Sequence, residues 1–482
     1  MHQLPRALFL APALLTLSLA LSACSGGTPS APVAETPPAP PVVTETTPTS
    51  PTPVAEPHRL TVSADGHRLV RADGKPFLYW ADTVWYLFHR PNREDARHYL
   101  QTRAAQGFTV IQVAALTLEE GLSRPNAYGD EPLDGKYSGR PRVTPGNDPN
   151  DREQYDYWDH IDYVVEQAAS LGLTVALVPS WGQYVNADPI FTPETARAYG
   201  LFVGQRYKDK PIIWLMGGDY NPDTEERRAI WRAMAGGIEE GVGGRDRALI
   251  TYHPTGDTTS AQFFHHEPWL DFNMWQTGHC INGREASAVL PTYRLTPTKP
   301  VINAEVIYER HAICHDRANG YAGDTEVRNA TYWSVFASGG AGMAYGHDQV
   351  WGFDVYDEDK AWPRLLDTAA VRQLGSLRKL LESRAPEGRE PDDTLVKGSF
   401  TGPRPTVALR GPDHAWVYLP DGGPVTVTLG RVSGSRVQAS WFDPRTEQKI
   451  VVGTFANRAE QVFTAPSSGH GNDWVLLLDA VR

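Results

Sequence analysis

Two apolar segments of this 482-residue chain each end in a carboxylic acid. The first runs from Ile212 to Asp219 and the second from Pro300 to Glu305. A carboxyl group at the end of a buried strand lies at the rim of a core, where burial and neighbouring charges tune its pKa. Two such groups facing one pocket can cleave a glycosidic bond, because one protonates the leaving oxygen while the other attacks the sugar or activates water. For either acid alone, a turn residue at the end of a strand is an equally good interpretation.

These segments belong to a repeated alternation of short apolar strands and amphipathic helices. The predicted strands are Phe77–Trp80, Thr109–Val113, Thr174–Val178, Ile212–Met216, Leu249–Tyr252, Phe272–Trp275, Pro300–Ala304 and Gly342–Tyr345. The predicted helices between them include Arg93–Gln106, Tyr157–Leu171, Pro193–Tyr207 and Thr224–Glu240. This alternation predicts an α/β fold, a (β/α)8 TIM barrel. A doubly wound open sheet is the competing fold, but no glycine-rich phosphate loop follows the first strand.

In such a barrel the substrate binds at the carboxyl ends of the strands. The residues expected there, and predicted to bind substrate, are Asp82, Trp85, Gln112, Trp181, Asn221, His253, Gln276, His279, His347 and Trp351. Hydrogen-bonding and aromatic side chains suit a sugar, whose hydroxyls need donors and acceptors and whose C–H face stacks on a ring. Trp181 and Trp351 could instead cap the core, and His253 and His347 could be hydrogen-bonded structural groups. The histidines come from different strand ends without an HxH or HExxH pair, so we predict no metal and no cofactor.

The composition changes near Ala385. Beyond it, short alternating runs separated by Pro, Gly and Asp predict a small antiparallel β-sandwich. Its predicted strands are Thr406–Leu409, Ala415–Leu419, Val425–Leu429, Val437–Trp441, Lys449–Val452 and Trp474–Leu478. We therefore expect a barrel domain at residues 58–385, which opens with a hairpin at Arg59–Lys75, and a sandwich domain at residues 386–482.

The N-terminus has the pattern of an exported lipoprotein. Arg6 precedes an apolar stretch, Ala7 to Leu21, that is too short to span a membrane comfortably. Leu21-Ser22-Ala23-Cys24 follows, resembles a bacterial lipobox, and predicts a signal peptide at residues 1–24 with lipid attached to Cys24. Ordinary signal-peptidase cleavage is the alternative. Residues 25–57, rich in Pro and Thr, predict a disordered, extended tether. We expect a membrane-anchored protein in the periplasm or on the cell surface.

The composition excludes several partners and chemistries. The formal net charge of −12, without a basic stripe, argues against nucleic acid. Cys280 and Cys314 either form one disulfide or stay free, and their spacing is not that of metal ligands. Ser180-Trp181-Gly182 lacks the GxSxG elbow of a serine hydrolase, and no zinc motif indicates a peptidase. The expected partners are an oligo- or polysaccharide substrate and, through the lipid anchor alone, a membrane.

Four segments give the chain a resemblance to a known family, and these are Trp80–Trp85, Trp214–Asp219, Asn303–Glu305 and Ser338–Gly342. In order and spacing they resemble the apiosidase-like glycoside hydrolases (family 140), from about Leu60 to Leu381. The resemblance implies a glycosidase acting on plant pectic side chains, with apiose-containing units as a lead, and it places the catalytic pair at Asp219 and Glu305. The tail is similar to a β domain named after collagen binding, a name that does not fix a ligand.

We therefore assign Asp219 as the general acid and Glu305 as the nucleophile or general base. Many retaining barrel glycosidases have Glu at the fourth strand, and Asp is one methylene shorter. That difference could widen the gap between the carboxyls toward the inverting range, or backbone placement could cancel it, so the stereochemistry stays open. The rival interpretation is a non-catalytic surface lipoprotein that binds glycans or a matrix protein. It explains the tether and the aromatic residues, but it does not explain the two acids.

Overall fold

The computed structural model describes residues 59–118, 121–137, 139–353 and 362–481. The predicted signal peptide, the lipid-bearing Cys24 and the predicted tether lie outside these residues. Within the described ranges, no helix combines the length and the apolar character that a membrane span requires.

The larger domain is a barrel of parallel strands. In chain order these are β1 Tyr79–Thr83, β2 Val110–Leu116, β3 Thr174–Ser180, β4 Ile212–Gly217, β5 Ile250–His253, β6 Asn273–Gln276, β7 Val301–Glu305 and β8 Gly342–Tyr345. Neighbouring strands pair in parallel from β1 to β5, and from β6 through β8 back to β1. Between β5 and β6, the N–H of Asp271 donates to the Ile250 carbonyl at 2.8 Å and Thr251 Oγ1 donates to the Phe272 carbonyl at 2.6 Å. The predicted TIM barrel is confirmed.

Helices surround these strands, which are runs of buried residues because a parallel barrel is covered on both faces. The longer helices are α1 Arg93–Ala105, α2 Tyr157–Ser170, α3 Pro193–Tyr207, α4 Glu225–Val242, α5 Asp324–Ala337 and α6 Ala369–Glu382. Single turns of helix occur at Gln183–Asn186, Ala261–Phe264, Arg284–Ser287 and Val289–Tyr293. Local sequence sets the N-terminal ends of α1 to α3. Side-chain oxygens of Asn92 and Asp156 cap α1 and α2, and Pro193 is the first residue of α3.

The predicted N-terminal hairpin is present and gains a third strand. Leu60–Val62 pairs antiparallel with Leu69–Arg71, and Pro76–Phe77 then pairs with Leu69–Arg71. The first barrel strand therefore starts later than predicted and runs on to Thr83. Likewise, β2 continues past its predicted end at Val113.

Asp82 consequently lies within β1, although we expected it after the strand, and Gln112 lies in the middle of β2, although we expected it at the end of the strand. The reason is physical. A strand buried on both faces has no polar alternation, so apolar sequence alone does not mark its end.

The C-terminal domain is antiparallel. Its strands are β9 Val407–Arg410, β10 His414–Leu419, β11 Gly422–Thr428, β12 Arg436–Phe442, β13 Lys449–Ala456, β14 Glu460–Ser468 and β15 Trp474–Ala480. One sheet has the order β9-β10-β15-β12-β13, with the short strand Glu390–Pro391 beside β9, and β11 pairs with β14. Val417 of the first sheet and Phe463 of the second belong to one buried cluster, so the sheets enclose a common core. The sequence did not predict β14, which contains Pro466.

This second domain packs directly on α5 and α6. Arg328 of α5 donates to both carboxylate oxygens of Asp473, at 2.7 and 2.6 Å, and both side chains are buried. Trp333 Nε1 donates to the Pro405 carbonyl at 2.8 Å. Apolar residues of α5, α6, β9, β10 and β15 also form one buried cluster. The barrel and the sandwich therefore share a core.

Candidate active site

Asp219 is presented by a sharp turn directly after β4. The φ angles of Gly217, Gly218 and Asp219 are +86°, +116° and +52°. A Cβ on Gly218 would lie 2.6 Å from the ring of Trp181, so the chain can pass the indole only because this residue has no side chain. Gln276 Nε2 donates to Asp219 Oδ1 at 2.9 Å, which fixes the carboxyl group toward β6. A non-glycine residue in the left-handed region is uncommon and is typical of functional turns.

Glu305 ends β7 and is buried between two histidines. His279 Nε2 lies 3.1 Å from Glu305 Oε1, and His253 Nε2 lies 3.5 Å from Oε2. His279 Nδ1 accepts the N–H of Tyr308 at 3.3 Å, so the proton of a neutral His279 is on Nε2 and points at Glu305. His253 Nδ1 lies 3.0 Å from the Pro254 carbonyl, which can only accept. A proton on His253 Nε2 therefore requires the imidazolium form.

These contacts drive the two carboxyl pKa values apart. Desolvation first, and the charge of Glu305 second, raise the pKa of Asp219 to about 6. Burial also raises the pKa of Glu305, but the contacts with His253 and His279 outweigh it and hold the pKa well below its ordinary value. Burial lowers the pKa of His253, yet its contact with Glu305 leaves that pKa above the ordinary value. Near pH 6 and below, Asp219 therefore holds a proton while Glu305 is ionised.

The two carboxyl groups are close together. One atom each of Asp219, His253 and Glu305 lie within 4.8 Å of one another. Retaining glycosidases hold their carboxyl groups about 5–5.5 Å apart, and inverting enzymes about 6.5–9.5 Å apart. The shorter side chain of Asp219 has therefore not opened a gap of the inverting kind. The same three atoms could also coordinate a divalent cation, which would replace the proton that Asp219 or His253 carries.

Aromatic rings form the wall beside this group. Trp85 lies edge-on to Trp181, with ring centroids 4.9 Å apart, and perpendicular to His253 at 5.4 Å. Trp85 and Trp181 are only 3% and 1% exposed. These indoles therefore shape the wall and exclude water, and they offer little ring face for stacking on a sugar.

Asp82 lies outside the group of side chains around Asp219 and Glu305. Its carboxylate forms an ion pair with Arg103 of α1 at 2.5 Å and accepts from the Tyr99 hydroxyl at 2.5 Å, and all three side chains are buried. The side chain is on the helix-facing side of β1, so we no longer assign Asp82 to substrate binding. It is one half of a buried ion pair between the barrel and α1.

Gln112 points into the barrel, where its polar atoms are used internally. Its Nε2 donates to Thr83 Oγ1 at 2.8 Å and to the Ala304 carbonyl at 3.0 Å, and its Oε1 accepts from the Tyr79 hydroxyl at 2.9 Å. Because Ala304 precedes Glu305, this link holds the end of β7 in place. We therefore assign Gln112 a positioning role in place of substrate contact.

The remaining predicted residues follow β4 and β8. Asn221 Oδ1 accepts from the Thr255 N–H at 3.2 Å and from Thr258 Oγ1 at 3.1 Å, which ties the loop after β4 to the loop after β5. His347 is buried, and desolvation lowers its pKa to about 3, so it is neutral. Trp351 is partly exposed, with its ring 5.9 Å from that of Tyr86.

Tyr308 is a site residue that sequence reasoning missed. Its ring lies 4.8 Å from that of His279, and its buried hydroxyl has no hydrogen-bond partner among the described residues. Burial first, and the charge of Glu305 next, raise its pKa well above the ordinary value. Tyr308 lies three positions beyond Glu305 and so is not one of the residues that directly follow a predicted strand.

A disulfide joins the loops after β6 and β7. Cys280 and Cys314 are bonded, which decides between the two alternatives left open by the sequence. The N–H of Cys314 donates to the His279 carbonyl at 2.7 Å, and the His311 ring stacks on that of His279 at 4.1 Å. The cross-link therefore holds the backbone of a residue that contacts Glu305.

Known proteins share this architecture. A family model described as "Apiosidase-like, catalytic domain" matches residues 63–386. The chain belongs to the apiosidase-like glycoside hydrolases. A second model, described as "Putative collagen-binding domain of a collagenase", matches residues 391–479 of the apiosidase-like chain. Both resemblances predicted from sequence motifs are confirmed.

Two solved structures resemble this apiosidase-like chain over both domains. One, described as "Glycoside hydrolase", is 33% identical, covers 88% of this chain and 97% of the matched chain, and has a TM-score of 0.78. A glycoside hydrolase family 5 protein from Bacteroides vulgatus ATCC 8482 is 32% identical, with coverages of 88% and 93% and a TM-score of 0.76. No curated protein matches the chain. The chain is a glycoside hydrolase, and the non-catalytic rival loses its support.

Proposed function

We propose that this apiosidase-like enzyme hydrolyses apiose-containing pectic glycans of plant origin with net retention, using Asp219 as general acid and base and Glu305 as nucleophile. One observation carries the proposal. Asp219 and Glu305 lie within 4.8 Å of each other, and their surroundings push their pKa values in opposite directions. A protonated acid beside an ionised nucleophile, at this spacing, is what a double displacement needs.

In the first step, a Glu305 oxygen attacks the anomeric carbon while Asp219 gives its proton to the leaving oxygen. The glycosidic C–O bond breaks, and a covalent glycosyl–enzyme ester forms. When the leaving group departs, Asp219 is a carboxylate. It then takes a proton from water as that water attacks the anomeric carbon, which releases Glu305 and restores the proton of Asp219.

His253 and His279 stabilise Glu305 as a carboxylate before attack. Each directs Nε2 at a different oxygen of Glu305, at 3.5 and 3.1 Å, so the carboxylate is held in one orientation. When Glu305 becomes an ester it loses its charge, and with it the largest contribution that raises the pKa of His253, although the Asp219 carboxylate formed in the same step continues to raise it. We expect the imidazolium of His253 to be more acidic in the intermediate than in the free enzyme.

The substrate class rests on family resemblance and on cations near the site. Arg310 and Arg317 follow β7 and are exposed, and both lower the pKa of the nearby Asp348, which desolvation raises. Exposed guanidinium groups in the segment after β7 suit the carboxylates of an acidic pectic chain. This supports a pectic substrate although the protein as a whole carries a formal charge of −12.

Product analysis tests the proposal. The enzyme is incubated with a panel of pectic oligosaccharides, including apiose-containing ones, and the anomeric proton of the first product is followed by NMR. We expect initial formation of the anomer that the substrate contained. Asp219→Ala and Glu305→Ala should each lower turnover by several orders of magnitude with unchanged folding, and dialysis against EDTA should leave the wild-type rate unchanged. Inversion, near-normal turnover of either variant, or loss of activity in EDTA would contradict the mechanism.

We also propose that the enzyme is exported and anchored by lipid at Cys24, on the tether of residues 25–57. The lipobox-like Leu21-Ser22-Ala23-Cys24 supports this. Expression of wild type and Cys24→Ala in a bacterial host given radiolabelled palmitate tests it. We expect label in the membrane fraction for the wild type only. Equal release of both proteins in soluble form would refute the anchor.

A further inference from the structure

A cavity lies at the opposite end of the barrel from Asp219 and Glu305. Its lining includes Leu78, Thr109 and Ala341, which directly precede β1, β2 and β8. These positions are the amino ends of parallel strands, whereas the acids follow carboxyl ends. The N-terminal strands and the segment after α6 complete the walls, and the volume is about 430 Å³. That volume is within the range of about 300–1,000 Å³ typical of small-molecule sites.

Arg389 supplies an uncompensated charge to this cavity. It is 3% exposed, and its Nη2 donates to the carbonyls of Leu381 and Arg384 at 2.9 and 2.8 Å. Its Nε is buried without a partner, and within the described ranges no carboxylate pairs with it. One face of the guanidinium lies over Trp416, 5.1 Å from the ring centroid. Desolvation first, and the charge of Arg68 next, lower the pKa of Arg389 to about 10, so it remains a cation.

Two of the other three arginines around the cavity have carboxylate partners. Arg68 forms an ion pair with Asp65, and Arg384 pairs with Asp479 at 2.8 Å. Arg71 lies over the ring of Phe77, 5.0 Å from its centroid. Glu382 is the acid in the lining, but it is about half exposed and pairs with Arg378 at 3.2 Å. The buried, unmatched charge of the cavity is therefore that of Arg389, and Arg71 adds a partly exposed guanidinium that pairs with no carboxylate among the described residues.

We propose that this cavity binds the carboxylate of an acidic sugar, as a non-catalytic site remote from Asp219 and Glu305. Arg389 has a donor, Nε, that no described residue uses, and a guanidinium binds a planar carboxylate through two parallel hydrogen bonds. Apolar side chains such as Leu69, Phe77 and Leu381 line the remaining surface and can contact the C–H faces of a sugar ring. Thr109 and Ser383 also line the cavity, and because their hydroxyls donate to the Leu78 and Leu380 carbonyls at 2.7 Å, they can only accept from a sugar hydroxyl.

Isothermal titration of the mature enzyme tests the proposal. Galacturonic acid is the probe, galactose is the neutral counterpart, and acetate and inorganic phosphate represent free anions. We expect galacturonate to bind at least tenfold more tightly than galactose and than either free anion, since both the charge and the ring contribute. Equal binding of galactose would remove the role of the charge. Equal or tighter binding of phosphate or acetate would show a general anion site and overturn the acidic-sugar proposal.

Two variants locate the binding. Arg389→Lys keeps the charge but loses the paired N–H donors of the guanidinium. Because Arg389 also donates to backbone carbonyls, the folding of this variant must be checked by circular dichroism. Ser383→Trp fills the cavity from an exposed position and leaves Arg389 in place. We expect both variants to weaken galacturonate binding at least tenfold while hydrolytic activity stays at the wild-type level. If the folded Ser383→Trp variant binds galacturonate as tightly as the wild type does, the binding heat comes from another site, and the cavity proposal fails.

Discussion

The hydrogen bond from Gln276 to Asp219 sets where the enzyme loses activity at alkaline pH. If Asp219 must be protonated to act as the acid, kcat/KM falls tenfold per pH unit above its pKa, which is about 6. Gln276 donates to the carboxylate at 2.9 Å and so favours the charged form. Its removal must therefore raise the pKa of Asp219 and shift the alkaline limb to higher pH.

The size of the shift follows from the contact. A hydrogen bond to a charged group contributes about 1.5–3 kcal/mol, and Asp219 is partly exposed, so we take the lower end. One pKa unit corresponds to about 1.4 kcal/mol. Gln276→Leu should therefore move the alkaline limb upward by about one unit, from about 6 to about 7. Leucine also desolvates the site further, which acts in the same direction.

The assay is kcat/KM measured from pH 4 to 9 on a substrate found in the panel above, for wild type, Gln276→Leu and Gln101→Leu. Gln101 is exposed on α1, and its substitution controls for the change of residue type. The alkaline limb gives an apparent pKa of the coupled Asp219–Glu305 pair. The prediction therefore concerns the difference in this apparent pKa between the wild type and the variants. An unmoved limb in Gln276→Leu, or one that moves to lower pH, would refute the assignment of Asp219 as the acid.

Further predictions concern folding and can be read from urea unfolding together with initial rates. Gly218→Ala should destabilise the protein by about 1–3 kcal/mol and lower kcat more than tenfold, since the new Cβ meets an indole 2.6 Å away, whereas Gly236→Ala, with open space in α4, should stabilise by about 0.5–1 kcal/mol. Wild-type activity in Gly218→Ala would mean that the turn tolerates a side chain. Asp82→Asn should cost about 3–5 kcal/mol with KM unchanged, because it leaves a buried guanidinium unpaired, while Asp73→Asn, in an exposed pair, should not move the urea midpoint. A raised KM in Asp82→Asn would return that residue to the substrate site. Cys280→Ser should lose about 3–4 kcal/mol, as expected for a cross-link spanning 34 residues, and an unchanged midpoint would argue against a disulfide in solution.

The strand–helix rhythm could be predicted from sequence because each barrel strand is an apolar run between amphipathic helices. The ends of those runs could not, and this misplaced Asp82 and Gln112. Asp219 and Glu305 could be named because each follows such a run directly. The distance between the two carboxyl groups depends on how the eight strands close into a barrel, which the sequence around each acid does not show. The pairing of Cys280 with Cys314 depends on the same long-range arrangement.

Tyr308 could not be predicted from the sequence. Its place beside His279 depends on the path of the segment after β7, and a lone tyrosine three positions beyond a strand has many equally good structural interpretations. The histidines at positions 253 and 279 were predicted as substrate contacts. Their position against Glu305 supports a different role, that of fixing the nucleophile.

The buried Arg328–Asp473 pair has a consequence for how such enzymes are assembled and diversified. Deletion of the C-terminal domain would leave the buried guanidinium of Arg328 without its counter-ion. It would also expose the apolar surface of α5 and α6. The C-terminal domain is therefore not an independent module that could be exchanged freely. Any graft of this barrel onto another accessory module would have to bring its own counter-ion for Arg328, and the two parts should melt as one cooperative body.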